Sequence, residues 1–147
     1  MSRIRRRAGF TVLELVLVLA VIVVLAAIAM PILLGAQRQA RETKLRATLT
    51  ELRSAVQRYG ADCGGSPWQL DDISAVEPPR WSLSYLDGSR QPVARDDFQG
   101  PYLLTPNGEL PEDPITGAAD WRYTRSSGRV RSNARGRGLD GTRYRDW

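Results

Sequence analysis

The hydrophobic pattern of the chain changes partway along its N-terminal third. From Leu15 to Met30 all 16 residues are apolar, and no charged residue occurs between Glu14 and Arg38. Farther along, apolar side chains recur every three or four positions, at Leu45, Leu49, Leu52, Val56 and Tyr59. A run of about 20 apolar residues is long enough to cross a bilayer as a helix. The later spacing is typical of an amphipathic helix with one buried stripe.

These two patterns predict a single long helix. No turn signal separates them except Pro31 and Gly35, so we expect one helix over residues 10–60, with a transmembrane part over about 12–34. At 1.5 Å per residue the helix would be on the order of 75 Å long. Proline lacks the backbone donor and its ring clashes with the preceding turn, which predicts a kink at Pro31. Such a kink is equally compatible with a bent membrane anchor and with a flexible hinge. The helix is expected to stop at Gly60.

Residues 61–147 have the pattern of a small domain rich in turns. Trp81, Leu83 and Tyr85 alternate with serines, which predicts a half-buried strand. The segments 121–124 and 129–132 flank a Ser-Ser-Gly turn and predict a hairpin, whereas three prolines make 105–117 a loop. This domain has few aliphatic residues, so the stripe of the long helix is expected to complete its core. The predicted fold class is therefore α+β.

Charge is segregated along the chain. The formal net charge is +5, and four arginines before residue 8 supply most of it. Residues 60–120 carry eleven acidic and three basic side chains, whereas residues 121–147 carry two acidic and eight basic ones. Such blocks suggest neutralisation within a subunit or between subunits rather than a nucleic-acid surface, and no nucleic-acid-binding motif is present. We therefore expect no nucleic-acid partner for the soluble domain.

The rarity of reactive side chains limits the chemistry that the chain could perform. It has no histidine and a single cysteine, Cys63, which excludes an intrachain disulfide, structural Cys/His zinc sites and histidine-based catalysis. Cys63 is expected to be a neutral or semi-buried residue. No nucleophile motif or phosphate loop is present, so an enzyme is not expected. A membrane-anchored periplasmic enzyme or binding domain remains as the alternative from another functional class.

The N-terminus carries a specific motif. Gly9 and Phe10 follow the arginine-rich leader, Thr11 comes next, and Glu14 is the fifth residue counted from Phe10. This pattern resembles the class III signal of type IV pilins and type II secretion pseudopilins, and Pro31 falls where that family has its helix-kinking proline. The resemblance implies that a prepilin peptidase removes residues 1–9 on the cytoplasmic side and methylates the amine of Phe10. The alternative is signal-peptidase cleavage after a small-x-small site, "AIA", that ends at Ala29.

The resemblance extends to the C-terminal half. The segment "DFQGPYLLTPNGELPEDPITGAADWRY", residues 97–123, and the closing residues 130–147 resemble the major pseudopilins. That family implies a type IV pilin-like fold and a structural subunit in a helical filament of identical copies and other pseudopilins. It also implies an inner-membrane assembly platform, with the N-terminus cytoplasmic and the C-terminal domain periplasmic. A type IV pilin or competence minor pilin is the nearest alternative.

An acid at position 14, at the start of the apolar run, needs a physical reason. An ionised Glu14 costs about 2.5–3.5 kcal/mol at the centre of a bilayer, so it should persist only with a partner, and cleavage would create one at the amine of Phe10. The alternative is that Glu14 lies at the headgroup level as a helix cap.

In the major pseudopilins the closing loop holds calcium, which implies ligands at Asp140, Asp146 and Ser132. Only two carboxylates are available there, and four arginines are interleaved with them.

Overall fold

The computed structural model describes residues 11–147 and divides into two compact units, one ending at Arg38 and one formed by Gln39–Trp147. A single helix, α1 (Val12–Cys63), contributes to both. The predicted leader, with Gly9 and Phe10, lies outside the described residues. The predicted α+β class is confirmed, because one long N-terminal helix packs on small antiparallel sheets.

In the first unit α1 begins with a capped turn. The hydroxyl of Thr11 accepts a hydrogen bond from the backbone N–H of Glu14, 3.2 Å away, and so occupies one of the donors that a helix start leaves unpaired. Helical structure continues without interruption through Pro31, so the local melting that a proline can cause does not occur there. By length and composition this is a helix that could cross a membrane.

The second unit is built on residues 39–63 of α1. The predicted stripe is confirmed: Leu45, Leu49, Leu52, Val56 and Tyr59 are all at most 2% exposed. They pack with side chains from the rest of the unit, among them Ile73, Tyr102, Leu103, Val130 and Tyr144. The contacts therefore divide the chain near residue 38 and not at residue 60, because half of the helix belongs to the core of the small domain.

The predicted end of α1 at Gly60 was wrong by three residues. Gly60 is inside the helix, where the hydroxyl end of Tyr85 occupies the space that a β-carbon would need. The helix ends at Cys63 because the next residue, Gly64, has a positive φ of 66°, the left-handed conformation that commonly terminates helices. Gly60 therefore allows close packing inside the helix, whereas Gly64 ends it.

Two small antiparallel sheets complete the unit. The first has the order β1 (Gly65–Pro67), β2 (Trp81–Ser84), β3 (Arg90–Pro92), with Ser66 opposite Leu83 and Ser82 opposite Gln91. The second is the predicted hairpin, β4 (Arg122–Thr124) and β5 (Arg129–Arg131), joined through a single 3-10 turn and Gly128. The predicted loop is also confirmed, since residues 105–117 contain no helix or strand.

The strand β2 faces the opposite way from the one that its apolar alternation suggests. Ser82 and Ser84 are buried, whereas Trp81 and Leu83 are partly exposed and Tyr85 lies beyond the strand. A β-carbon on Gly65 would collide with the carbonyl of Leu83, which shows how closely β1 and β2 approach. On the outer face the guanidinium of Arg90 covers the ring of Trp81 at 4.2 Å, so the aromatic side is shielded by a cation rather than by the core.

Candidate functional site

Glu14 lies in the first turn of α1, and its neighbours Leu13 and Leu15 are 80% and 55% exposed. Among residues 11–147 its carboxylate has no hydrogen-bond or ion-pair partner. The backbone N–H of Glu14 is capped by Thr11, so the turn is held through the backbone while the acid remains available. The predicted partner, the amine of Phe10, belongs to the part of the chain outside the described residues.

The side chains that follow Glu14 form a continuous exposed apolar surface. From Val12 to Leu34 the large hydrophobic residues of the first unit are between 46% and 80% exposed. Isolated apolar residues on a surface are ordinary, but a contiguous patch of this extent is typical of contact with a membrane or with another protein. Pro31 lies within this surface, and a β-carbon added at Gly35 would meet nothing within 4 Å.

In the second unit a buried carboxylate ties α1 to the C-terminal loop. Glu42 is 6% exposed, and its two oxygens accept the backbone N–H of Leu139 at 3.0 and 3.1 Å. Its Oε1 also accepts the hydroxyl of Tyr144 at 2.9 Å. Hydrogen bonds to an ionised group are the strong ones, and a buried carboxylate needs them. Glu42 thus fixes the loop at two points, Leu139 and Tyr144, which are five residues apart.

Two arginines on the same helix extend this attachment. Arg46 forms an ion pair with Asp140 at 2.5 Å, and its guanidinium lies 4.1 Å from the ring centroid of Trp147. Arg53 donates to the carbonyls of Val130 and Trp147. Burial, followed by the neighbouring Arg129 and Arg131, lowers the pKa of Arg53 below its ordinary value. Glu42, Arg46 and Arg53, three polar residues of one helix, therefore hold the segment from Val130 to Trp147.

Asp140 is exposed and shared between three donors. The N–H and hydroxyl of Thr142 reach its Oδ1 at 2.9 and 2.6 Å, and Arg46 reaches Oδ2. The bonds from Thr142, with a smaller contribution from Arg46, lower the pKa of this carboxyl below its usual value. The carboxylate is therefore ionised and fully engaged within its own loop and α1.

Ser132 belongs to a different cluster. It is fully buried and donates to Oδ2 of Asp113 at 2.5 Å, while its oxygen accepts the N–H of Ala134. Asp113 is also fully buried and accepts the N–H of Ile115 at 2.8 Å. This pair pins the Leu-Pro-x-Asp-Pro segment to the residue after β5.

The Gly-Pro-Tyr-Leu segment is bound just as firmly. The backbone N–H groups of Tyr102 and Leu103 both donate to the carbonyl of Ile73 at 2.9 Å, and Arg58 donates to the carbonyl of Tyr102. The ring of Tyr102 lies edge-on to Tyr59 with centroids 5.5 Å apart. Its hydroxyl is 4.0 Å from the thiol of Cys63, whose pKa is raised by burial. Cys63 is therefore a neutral core residue, as the sequence predicted.

Both segments that hold the C-terminal half together are the ones that resemble major pseudopilins, and sequence comparison shows the same relationship over most of the chain. Type II secretion system core protein G of Klebsiella pneumoniae is 31% identical over 111 residues, which cover 75% of this chain and 70% of that protein. The chain belongs to this family. The proteins of the same name from Aeromonas hydrophila and Vibrio cholerae are 29% and 26% identical, over 72% and 78% of this chain and 78% and 69% of their own. No family model matches the chain, and no solved structure matches it.

The resemblance to a major pseudopilin is thereby confirmed, and so is the expectation of a structural protein rather than an enzyme. As a member of the core protein G family, this chain is a pseudopilus subunit of a type II secretion system. The relatives named above are secretion proteins, which favours secretion over the type IV pilin and competence alternatives.

The residues proposed as calcium ligands in this pseudopilin do not come together. Ser132 is bound to Asp113, Asp140 is bound to Arg46 and Thr142, and Asp146 lines a separate cavity beside Arg53, Arg129 and Arg131. Within residues 11–147 no group of three or more acidic, cysteine or histidine side chains could hold a metal ion. Calcium prefers six to eight oxygens with several carboxylates, so this arrangement does not fit it.

The sequence left Glu42, Arg46, Arg53 and Asp113 unassigned. Glu42 did carry a signal, because it lies three residues before Leu45 on the apolar stripe, where a charged residue has to be buried with a partner. The partners of Arg46 and Arg53 lie 94 and 77 residues away, and no local pattern identifies them.

Proposed function

We propose that this pseudopilin is anchored in the inner membrane by about residues 12–34 of α1 and is then polymerised into a filament through the same helix. The observation that carries the proposal is the apolar surface of the first unit, exposed from Val12 to Leu34. Such a surface needs lipid or protein around it, and the membrane and the filament core supply these in turn. On assembly, the apolar surface of α1 would then exchange contact with lipid for contact with neighbouring subunits, so no new apolar surface would have to be buried.

Processing would complete the assembly site. A prepilin peptidase would cut between Gly9 and Phe10 on the cytoplasmic side and methylate the new amine, leaving α1 in the mature chain. The arginines of the leader would hold the N-terminus in the cytoplasm and leave the C-terminal unit in the periplasm. An inner-membrane platform and other pseudopilins would be the remaining partners.

Glu14 would then set the register between neighbouring copies. Its carboxylate, which has no partner among residues 11–147, would pair with the amine of Phe10 on an adjacent copy. A buried charge without a partner is costly, so misplaced copies would be rejected. Pro31 would let the helix bend as it moves from lipid into the filament.

Mass spectrometry of the mature chain tests the processing step. We expect a chain that begins at Phe10 and carries one additional methyl group. A chain that retains its first nine residues, or one that begins at Met30, would overturn the proposal, because the first has no free amine beside Glu14 and the second has no anchor.

Assembly itself is tested with Glu14→Ala in cells that contain the secretion system. We expect the sedimentable filament fraction to fall at least about tenfold, while the control Glu51→Ala, an exposed acid of the same helix, leaves it unchanged. Equal filament yields for Glu14→Ala and the natural chain would remove the register role.

A further inference from the structure

The C-terminal loop carries a cavity lined by arginine. Its volume is about 520 Å³, and five of its lining residues are exposed arginines: Arg122, Arg135, Arg137, Arg143 and Arg145. The other lining residues are Asn133, Ala134 and Gly136, so no acidic side chain contributes to it. We call the cavity that these five arginines line the basic cavity. Like charges held this close favour a bound anionic group.

The scaffold of the basic cavity is rigid. The backbones of Arg137 and Arg143 pair as an antiparallel bridge, and Arg137 donates to the carbonyl of Gly141 at 2.7 Å. Tyr144, between Arg143 and Arg145, is buried and bonded to Glu42. The guanidinium groups of Arg122, Arg135, Arg143 and Arg145 have no hydrogen-bond or ion-pair partner among residues 11–147. The backbone of the site is therefore held in place, whereas the four exposed side chains become ordered only when an anionic group binds.

Three aspartates lie at the other end of α1. Asp62, in the last turn of α1, lines a shallow cavity with Gln99, Tyr102 and Arg58, whose guanidinium donates to the carbonyl of Tyr102. The side-chain amide of Gln99 donates to the carbonyl of Asp96, which places Asp96 and Asp97 at the same end of the unit. All three aspartates are exposed. We call them the acidic end.

The helix fixes the distance between the two charged surfaces. Glu42 holds the loop of the basic cavity, and Asp62 is twenty residues farther along α1, about 30 Å at 1.5 Å per residue. At that separation the two surfaces of one copy cannot neutralise each other across a salt-screened solvent. Two different surfaces on one molecule that complement each other make a head-to-tail contact, and such contacts generate helical filaments when they do not close into a ring.

We propose that the basic cavity receives the acidic end of another copy of this chain, displaced along the filament. This inference rests on the proposed polymerisation and adds a second contact to it, outside the membrane-derived core. Its occupant is a second copy, because this chain itself supplies the complementary charge about 30 Å farther along α1. Complementary charge of this kind governs orientation and the rate of association more than total affinity.

Charge reversal with rescue tests the contact in the full chain. We expect Arg135→Glu with Arg145→Glu to lower the sedimentable filament fraction about tenfold, and Asp96→Arg with Asp97→Arg to do the same. Combining the four changes should restore the fraction to within about twofold. Arg80→Glu with Arg129→Glu is the matched control for the arginine pair, since both are exposed, lie outside the two surfaces and lower the net charge by the same amount.

The outcomes separate this contact from polymerisation itself. If the reversal variants assemble like the natural chain, or if the fourfold variant is not rescued, the contact is overturned. The proposed function still stands in that case, provided that Glu14→Ala blocks assembly. If the natural chain forms no filaments, both are overturned. If reversal abolishes binding of a DNA duplex or inorganic phosphate to the full chain but leaves filament yield unchanged, the cavity is an anion site and the contact is overturned.

Cross-linking provides a measurement that does not depend on yield. In a Cys63→Ala background, Arg145→Cys together with Asp97→Cys should give a ladder of covalent oligomers with a short bis-maleimide. Either cysteine alone cannot give more than a dimer, which makes the single variants the controls. A double variant that also stops at dimers would overturn the head-to-tail contact.

Discussion

The two parts of α1 treat their apolar residues in opposite ways. Leu25 in the first unit is 61% exposed, whereas Leu52 in the second is fully buried, although both belong to one helix. The same contrast holds for the acids: Glu14 has no partner among residues 11–147, and Glu42 is buried with its bonds satisfied. The second unit completes its interior from its own chain. The first unit presents a surface that only another molecule can cover, so stability and assembly reside in separate stretches of one helix.

Truncating leucine in each part should give the largest contrast. Leu52→Ala leaves a cavity in the core and is expected to lower the free energy of unfolding by about 3 kcal/mol. Leu25→Ala should leave it unchanged within about 0.5 kcal/mol. Denaturant unfolding of the full chain in detergent, followed by tryptophan fluorescence, measures this, because all four tryptophans lie in the second unit. Equal losses would show that both parts stabilise the same core.

Removing each acid sharpens the comparison. Glu42→Ala leaves the N–H of Leu139 and the hydroxyl of Tyr144 without their acceptor, so unfolding should become easier by about 1–3 kcal/mol. Glu14→Ala is the control and should not change the unfolding of the second unit. The same fluorescence measurement applies. A Glu42→Ala protein as stable as the natural chain would mean that the loop is held by its other contacts alone.

The smallest effect is expected at Asp140, which is exposed. Its pKa is lower in the folded chain, chiefly through Thr142, so its stabilising contribution is complete above the ordinary value of 3.8 and disappears as the pH falls through the folded pKa. The melting temperature of Asp140→Asn should therefore lie slightly below that of the natural chain at pH 7, and the difference should shrink as the pH is lowered below 3.8.

The same variant addresses calcium. Because Arg46 and Thr142 already occupy the carboxylate, the melting temperature of the natural chain should not change between added calcium and excess chelator. An increase with calcium that Asp140→Asn abolishes would instead establish the calcium site that the sequence suggested.

Local patterns predicted the regular parts of this fold. The 3.6-residue spacing from Leu45 to Tyr59 identified the buried stripe, and the Ser-Ser-Gly turn identified the hairpin, because both depend on neighbours in sequence. The facing of β2 was not predictable, since it depends on how closely β1 approaches and on a cation that covers Trp81. The attachments of Arg46 and Arg53 were equally hidden, because hydrogen bonds across 77 to 94 residues leave no periodic trace.

The candidate site divides in the same way. The acid in the first turn and the apolar run were visible because they interrupt or form a pattern. The basic cavity was foreshadowed only by the excess of arginine after residue 120, and the fold was needed to gather those arginines around one space. The number of arginines in this segment predicts a positive surface, but only the folded structure shows that they line one cavity.

The shielding of the indole rings on the outer face of the first sheet has a consequence for handling the protein. Arg90 lies 4.2 Å from the ring of Trp81 and 4.8 Å from that of Trp68, and so covers part of both indoles; Arg80 and Arg125 each cover one of them as well. Replacing Arg90 would scarcely change the melting curve, yet it would increase the exposure of both aromatic rings. Turbidity at high concentration, and not calorimetry, would reveal the damage, because colloidal behaviour and folded stability are governed here by different atoms.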